Sequence, residues 1–344
     1  MPVDRSDPAP RSGALFPEQD TRPSGVAPAS PDASVSRLAE CLPAGLRLGT
    51  SSWYFPGWAG LVWDRLYSQK QLSREGLAAY AQHPLLRAVG LDRGFYRPMT
   101  VAQFASYAAD VPDDFRFVVK APSQVTDALI RESGGQARQA NPRFLDGRLA
   151  CESFVGPACE GLGDKIGALV FQISPLPIHG LQQVDALIEQ LHTMLQVVAQ
   201  AKARVPTAVI AVEVRNPEWL TPMFVAALKD AGATYCVGLH PKMPPIDEQL
   251  PVLRRLWPGP FVCRWNLNVR HGAFGYARAR DRYAPFDKLV DPDPETRTTL
   301  ARVIAGTVTA GQPALVTINN KADGSSPLSV QALAAAVRAA REPR

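Results

Sequence analysis

The 344 residues are 46% apolar and 20% charged, with a formal net charge of +5. That balance can bury a sizeable core, and it excludes a wholly disordered chain, a collagen-like fibre and a disulfide-stapled miniature. No apolar run approaches the ~18 residues of a membrane-spanning helix, the N-terminus lacks the apolar middle of a secretory signal, and the five cysteines share no metal-ligand spacing. Three of those cysteines sit in apolar stretches, so a cytosolic protein with reduced thiols, bound to no membrane, is the expectation. Arginine outnumbers lysine 29 to 8. Arg is the better fork for carboxylates and phosphates, although genome base composition produces the same bias.

Residues 1–44 carry eight prolines among Ser, Ala and Asp, with little periodicity beyond a short turn around Ser34–Cys41. They read as a disordered tail, and residues 45–344 as one domain. From Leu46 the chain alternates strand-length apolar runs with helical patterns. The predicted strands are Leu46–Ser51, Leu85–Leu91, Phe115–Lys120, Ile166–Ile173, Ala208–Val214, Thr234–Leu239, Phe261–Leu267 and Ala314–Ile318. Most are apolar throughout, as parallel strands buried on both faces are. The predicted helices are Leu72–Gln82, Val101–Ala109, Leu145–Glu160, Leu181–Ala203, Pro217–Ala231, Glu248–Leu256, Pro294–Ala310 and Leu328–Ala340. Asn216-Pro217 reads as an N-cap followed by proline at the first helical position, and Ser326 as the N-cap of the last helix.

Eight strand–helix units over this length are the count of an α/β (β/α)8 TIM barrel. An open doubly wound sheet is the alternative, but Gly49-Thr50-Ser51-Ser52 is not the glycine-rich turn such a sheet wants. The connections after the third and seventh strands, Ala121 to about Phe144 and Asn268 to about Asp293, are long, whereas those entering strands are short. Long insertions on one face are what lids over a site look like.

In a barrel of this kind chemistry gathers where the strands end. The eight exits offer Trp53; Asp92, followed by Tyr96; Lys120; Gln172; Glu213 and Arg215; His240; Arg264 and Asn266; and Asn319 with Asn320. Lys120, Glu213 and Arg264 stand out because each sits in or at the tip of an apolar strand, where an unpaired charge costs several kcal/mol. The alternatives are mutual ion pairs or a bound ligand. The pattern predicts a metal-independent, cofactor-free enzyme acting on a small anionic or polyhydroxylated, sugar-like compound. In that reading Glu213 is the general base and Lys120 the acid or electrostatic partner. Arg215 and Arg264 clamp the anion, Gln172, Asn319 and Asn320 orient hydroxyls, and Asp92, Tyr96 and Trp53 wall the pocket. A divalent metal has only Glu213, His240 and Asp92 to bind it, with Arg215 and Lys120 repelling it. The helix start at Ser326 is a further anion site. The second reading is a nucleic-acid-binding barrel gripping through the basic, aromatic stretch Arg270–Lys288, unless its arginines pair with Asp281 and Asp287. A third is a barrel that binds a ligand without catalysis.

The ordered motifs Leu48-Gly-Thr-Ser-Ser-Trp-Tyr with Trp58, Phe95-Tyr-Arg-Pro, Phe115-Arg-Phe-Val-Val-Lys120, Gly163-Asp-Lys-Ile-Gly, Phe171-Gln-Ile-Ser-Pro175, Val212-Glu-Val-Arg-Asn-Pro-Glu-Trp219 and Ile318-Asn-Asn320 resemble the YecE-like proteins, built on domain of unknown function 72. The resemblance spans nearly all of Leu46–Ala340 and implies a (β/α)8 barrel. It implies no reaction, since the family's sugar-isomerase label rests on fold analogy. Two departures touch the site. Asp92-Arg93-Gly94 replaces a glutamate followed by I-N, and Arg264-Trp265-Asn266 replaces R-L-H, removing a histidine.

Overall fold

The computed structural model describes residues 25–131 and 137–342. Eight parallel strands close a barrel: β1 (Leu46–Thr50), β2 (Ala88–Leu91), β3 (Arg116–Lys120), β6 (Ile166–Gln172), β7 (Val209–Glu213), β8 (Thr234–Leu239), β9 (Phe261–Trp265) and β10 (Ala314–Ile318), with β10 bonded back to β1. The two strands missing from that series, β4 (Leu129–Arg131) and β5 (Ala137–Ala140), form a small antiparallel pair in the connection after β3. The predicted single-domain TIM barrel is therefore the fold, with helices returning the chain outside the cylinder.

Local chemistry explains the boundaries. Thr100 starts the helix Val101–Ala109 with a capping box to Gln103, and Asp293 caps Pro294–Thr309 through the Thr296 N–H. The strand expected from Leu85 begins at Ala88, because the Leu86 N–H turns back to the His83 carbonyl at 3.1 Å. The helix expected over Leu145–Glu160 is three consecutive segments with a π turn at Cys151–Val155. Pro157 has no N–H to continue the α pattern, and the Gly156 N–H reaches five residues back to Cys151. Asn216 precedes only a single 3-10 turn, Pro217–Trp219, and its side chain does not cap it. Its side-chain oxygen accepts from the Leu176 N–H at 2.9 Å, and Thr221 caps Pro222–Asp230 instead.

Part of the stretch expected to be a disordered tail is ordered. Residues 33–40 form a helix capped by Asp32, and Pro28 bridges to Trp63, with the Ala29 N–H on the Val62 carbonyl at 2.9 Å. Residues 1–24, the rest of that expectation, lie outside the described residues.

The barrel interior follows from strand periodicity. Val118, Ala168, Val170, Val209, Ala211, Cys236, Val262 and Leu315 form a separate buried apolar cluster inside the cylinder. Since residues two apart share a face, Lys120, Gln172, Glu213, Gly238 and Arg264 make up the next layer towards the carboxyl end. The registers Gln172↔Glu213 and Gly238↔Arg264 set these positions side by side. Glycine at 238 leaves room for that layer. A Cβ there would lie 3.1 Å from the Glu213 carboxyl and 2.5 Å from the Met243 Cε.

Candidate active site

The polar layer is one hydrogen-bonded network. Arg264 donates from Nη1 to Gln172 Oε1 and Glu213 Oε2, both at 2.9 Å, and from Nη2 to Asp92 Oδ2 at 2.6 Å. Arg215 donates from Nη2 to Gln172 Oε1 at 3.0 Å and lies 3.2 Å from Glu213 Oε1. Glu213 is entirely buried and Arg264 is 5% exposed. Burial opposes ionisation of Glu213, but Arg264 and Arg215 outweigh it and hold the carboxyl below its usual range. Burial likewise opposes the charge of Arg264, and Asp92 and Glu213 more than restore it.

Lys120 completes the layer. It is 9% exposed, and its Nζ lies 3.5 Å from the centre of the Phe95 ring. Burial lowers its pKa to about 8, with Asp92 and Glu213 opposing the shift and Arg264 and Arg215 adding to it. These interactions bring Lys120, Glu213, Arg264, Arg215, Gln172 and Asp92 to one place. Three cations face two carboxylates there, which favours an anionic visitor.

Around this centre, His240 is buried and stacks on Tyr276 with ring centres 5.1 Å apart. Burial, then Arg215 and Lys242, lowers its pKa to about 4. Its Nδ1 accepts the Lys242 N–H at 2.9 Å, so the neutral ring carries its proton on Nε2 as a donor. Asn266 donates to the Arg264 carbonyl at 3.3 Å. Trp53 is 1% exposed, and its Nε1 has no hydrogen-bond acceptor among the described residues, nor has Arg215 Nε. Trp53 and Asp92 line a common cavity of about 160 Å³.

Several expected roles do not fit their placement. Tyr96 is 87% exposed and walls nothing; the neighbouring Phe95 supplies the ring against Lys120. Asn320 is buried away from the layer. Its Oδ1 accepts from Trp58 Nε1 at 3.2 Å and from the N–H and hydroxyl of Ser326, each at 2.8 Å. That contact also closes the helix start at Ser326, which is no open anion site. Asn319 accepts the Lys321 N–H and caps a short turn. Glu213 is a poor general base, since both its oxygens face guanidinium groups that hold it ionised. In the connection after β9, Arg270 and Arg282 bind Asp291, where Asp281 and Asp287 were the expected partners; only the pair Arg280–Asp281, at 2.9 Å, follows the expectation. Tyr283 donates to the same Asp291 at 2.9 Å and meets His271 Nε2 at 2.6 Å, tying the connection down.

Tyr276 lies in the basic, aromatic stretch Arg270–Lys288, and the sequence does not mark it out from the other rings there. Burial raises its pKa while Arg215 and Arg264 lower it, and Lys321 Nζ lies 5.5 Å from its ring centre. What sets it apart is its place in the first turn of the helix Tyr276–Tyr283. Among the described residues no three His, Cys, Asp or Glu side chains converge as a metal site would need, and no helix is long and apolar enough to cross a membrane.

The family model for DUF72, a protein family of unknown function, matches residues 47–344. A DUF72 family protein of Enterococcus faecalis V583, solved by crystallography, is 17% identical over 85% of this chain and 95% of its own, with a TM-score of 0.52. A second, from Thermotoga maritima MSB8, is 19% identical over 84% of this chain and 96% of its own, with a TM-score of 0.50. At these identities the likeness speaks for the fold alone. No functionally curated protein matches. The barrel, the ordered motifs and the family model agree, and the chain belongs to the DUF72 family.

Proposed function

We propose that this protein is a metal-independent enzyme that holds a small anionic, sugar-like or phosphorylated substrate at the carboxyl end of its barrel and moves a proton through Lys120. The observation that carries this reading is the excess of cation over carboxylate in a polar layer where Arg215 Nε still lacks an acceptor. Buried donors without acceptors are costly unless a ligand or water meets them. Arg264 is consumed by Gln172, Glu213 and Asp92, so Arg215 is the arginine with donors left for an anion. Glu213 positions both arginines and keeps them apart from one another's repulsion. Lys120, with a pKa near 8, exchanges a proton close to neutrality. The Nε2–H of His240 and the Tyr276 hydroxyl are at hand for substrate oxygens.

The nucleic-acid reading is weaker, because Arg270 and Arg282 of the basic segment are engaged by Asp291. Thermal-shift measurements with inorganic phosphate and glycerol 3-phosphate, at constant ionic strength, test the proposal. Stabilisation is expected and should vanish in Arg215→Ala. Stabilisation only by oligonucleotides, falling steeply with salt, would replace this reading with the nucleic-acid one.

A further inference from the structure

We infer that Lys120 is a Schiff-base lysine, its amine condensing with the carbonyl of an aldehyde or ketone whose carboxylate or phosphate is received by Arg215. The inference rests on the anion-binding reading above and adds the reacting group of the substrate.

Two half-buried lysines elsewhere in this chain are held by backbone oxygen. Lys165 Nζ donates to the carbonyls of Ala108 and Val111 at 2.8 and 2.7 Å. Lys202 Nζ donates to those of Pro206 and Ala208 at 2.9 and 2.6 Å. Each ammonium, though only half-buried, is satisfied by oxygen, and a more deeply buried one needs such partners more. Lys120 is 9% exposed, yet no hydrogen bond or ion pair engages its Nζ among the described residues; a ring face is its near neighbour. A structural lysine at this position would be aimed at oxygen. An amine kept free of acceptors, on a rigid strand end beside an anion-binding arginine, is placed to meet a carbon electrophile.

The nearby charges suit that chemistry. Asp92 and Glu213 act on Lys120 from one sign and Arg264 and Arg215 from the other. Glu213 has both oxygens facing arginines, whereas Asp92 is held at Oδ2 and its side chain is 43% exposed. Asp92 is thus the carboxylate able to relay protons. In the step itself the free amine attacks the carbonyl carbon, a C–N bond forms, the C=O π pair moves to oxygen, and that oxygen takes one of the two protons of the amine nitrogen. The resulting carbinolamine oxygen takes a second proton through Asp92 and leaves as water. The nitrogen keeps one proton as an iminium. The condensation is redox-neutral, needs no co-reactant, and acidifies the C–H next to the former carbonyl. Burial, which brings the amine near pH 8, supplies free base for the attack.

The test uses the full-length chain with glyoxylate, pyruvate and dihydroxyacetone phosphate as carbonyl probes, each reduced with sodium borohydride. Intact mass and peptide mapping are the readouts. The expected result is one reduced adduct at Lys120, formed roughly tenfold faster than at any other lysine and suppressed by inorganic phosphate. Lactate and glycerol 3-phosphate, which lack the carbonyl, should leave no adduct. Mapping is done on the unaltered protein, so the result does not depend on Lys120→Arg folding. No adduct at Lys120 from any probe, while phosphate still raises the melting temperature, overturns the imine and leaves the anion site standing. Neither adduct nor phosphate stabilisation overturns both.

Discussion

The two ends of the barrel both hold basic side chains, half-buried at the amino end and largely buried at the carboxyl end, and use them in opposite ways. At the amino end, Arg47 donates to the carbonyls of Asp114, Ala44 and Leu46, and Arg116 to those of Asp113 and Phe115 at 2.7 and 2.8 Å. Lys165 closes the end of the helix Val101–Ala109 in the same manner. Burial, then Arg87 and Arg116, lowers the Arg47 pKa to about 10, and fixed carbonyl oxygens still satisfy its donors. At the carboxyl end the basic groups are held by side chains, and some of their donors are left open. Buried charge by itself therefore says little about function. What distinguishes a site is charge held in place with bonding capacity unspent.

Breaking the carboxyl-end network should have the largest effect. Glu213→Gln leaves Arg215 and Arg264 facing each other in a buried layer, and a loss of about 3–5 kcal/mol is expected in chemical denaturation. Arg47→Ala at the other end removes bonds to carbonyls near the surface and should cost only about 1 kcal/mol. A Glu213→Gln protein as stable as the parent would mean that the network is not formed.

The arginines separate the two ends by ligand. With phosphate at about a hundred times its dissociation constant, the parent should gain about 2.7 kcal/mol. Arg215→Ala should lose that gain, and should also lower intrinsic stability by removing one of the two partners of buried Glu213. Arg47→Ala should keep it in full.

The lysines give the smallest effects, of opposite sign. Lys120→Met removes an amine that burial disfavours, and should stabilise the protein by roughly 1–3 kcal/mol near neutrality while abolishing activity. Lys165→Met strips two carbonyls of their donor and should destabilise it. The pH dependence follows from the folded pKa of Lys120, near 8, lying below its ordinary 10.5. Between these values the unfolded chain binds the extra proton, so parental stability should climb as pH rises through that window. Lys120→Met should lack that component of the climb. Activity that needs the free amine should rise through about pH 8.

The barrel was legible because its strands are continuous apolar runs, and the polar layer because β-periodicity puts residues two apart on one face. Gln172, Glu213 and Arg264 each lie two residues past a small or branched interior residue, a spacing readable in the sequence. Contacts made by turns were not legible in this way. Phe95 and Tyr96 are adjacent at the end of a single 3-10 turn, Arg93–Phe95, and no period tells which ring faces Lys120. Asn320 looked like a site residue because it follows a strand, and only the path of the next turn commits it to Trp58 and Ser326. The protonation role of Glu213 also depended on tertiary structure. Two arginines, from β9 and the β7 exit, close on it and hold it ionised. The order at residues 27–29 escaped composition because it comes from pairing with residues 62–67, a contact that proline content does not encode.

Isothermal titration with inorganic phosphate at fixed ionic strength addresses the carboxyl-end site directly. One saturable site per chain is expected, lost in Arg215→Ala and preserved in Arg47→Ala. Absence of binding, or binding that survives Arg215→Ala and disappears in Arg47→Ala, would contradict the assignment.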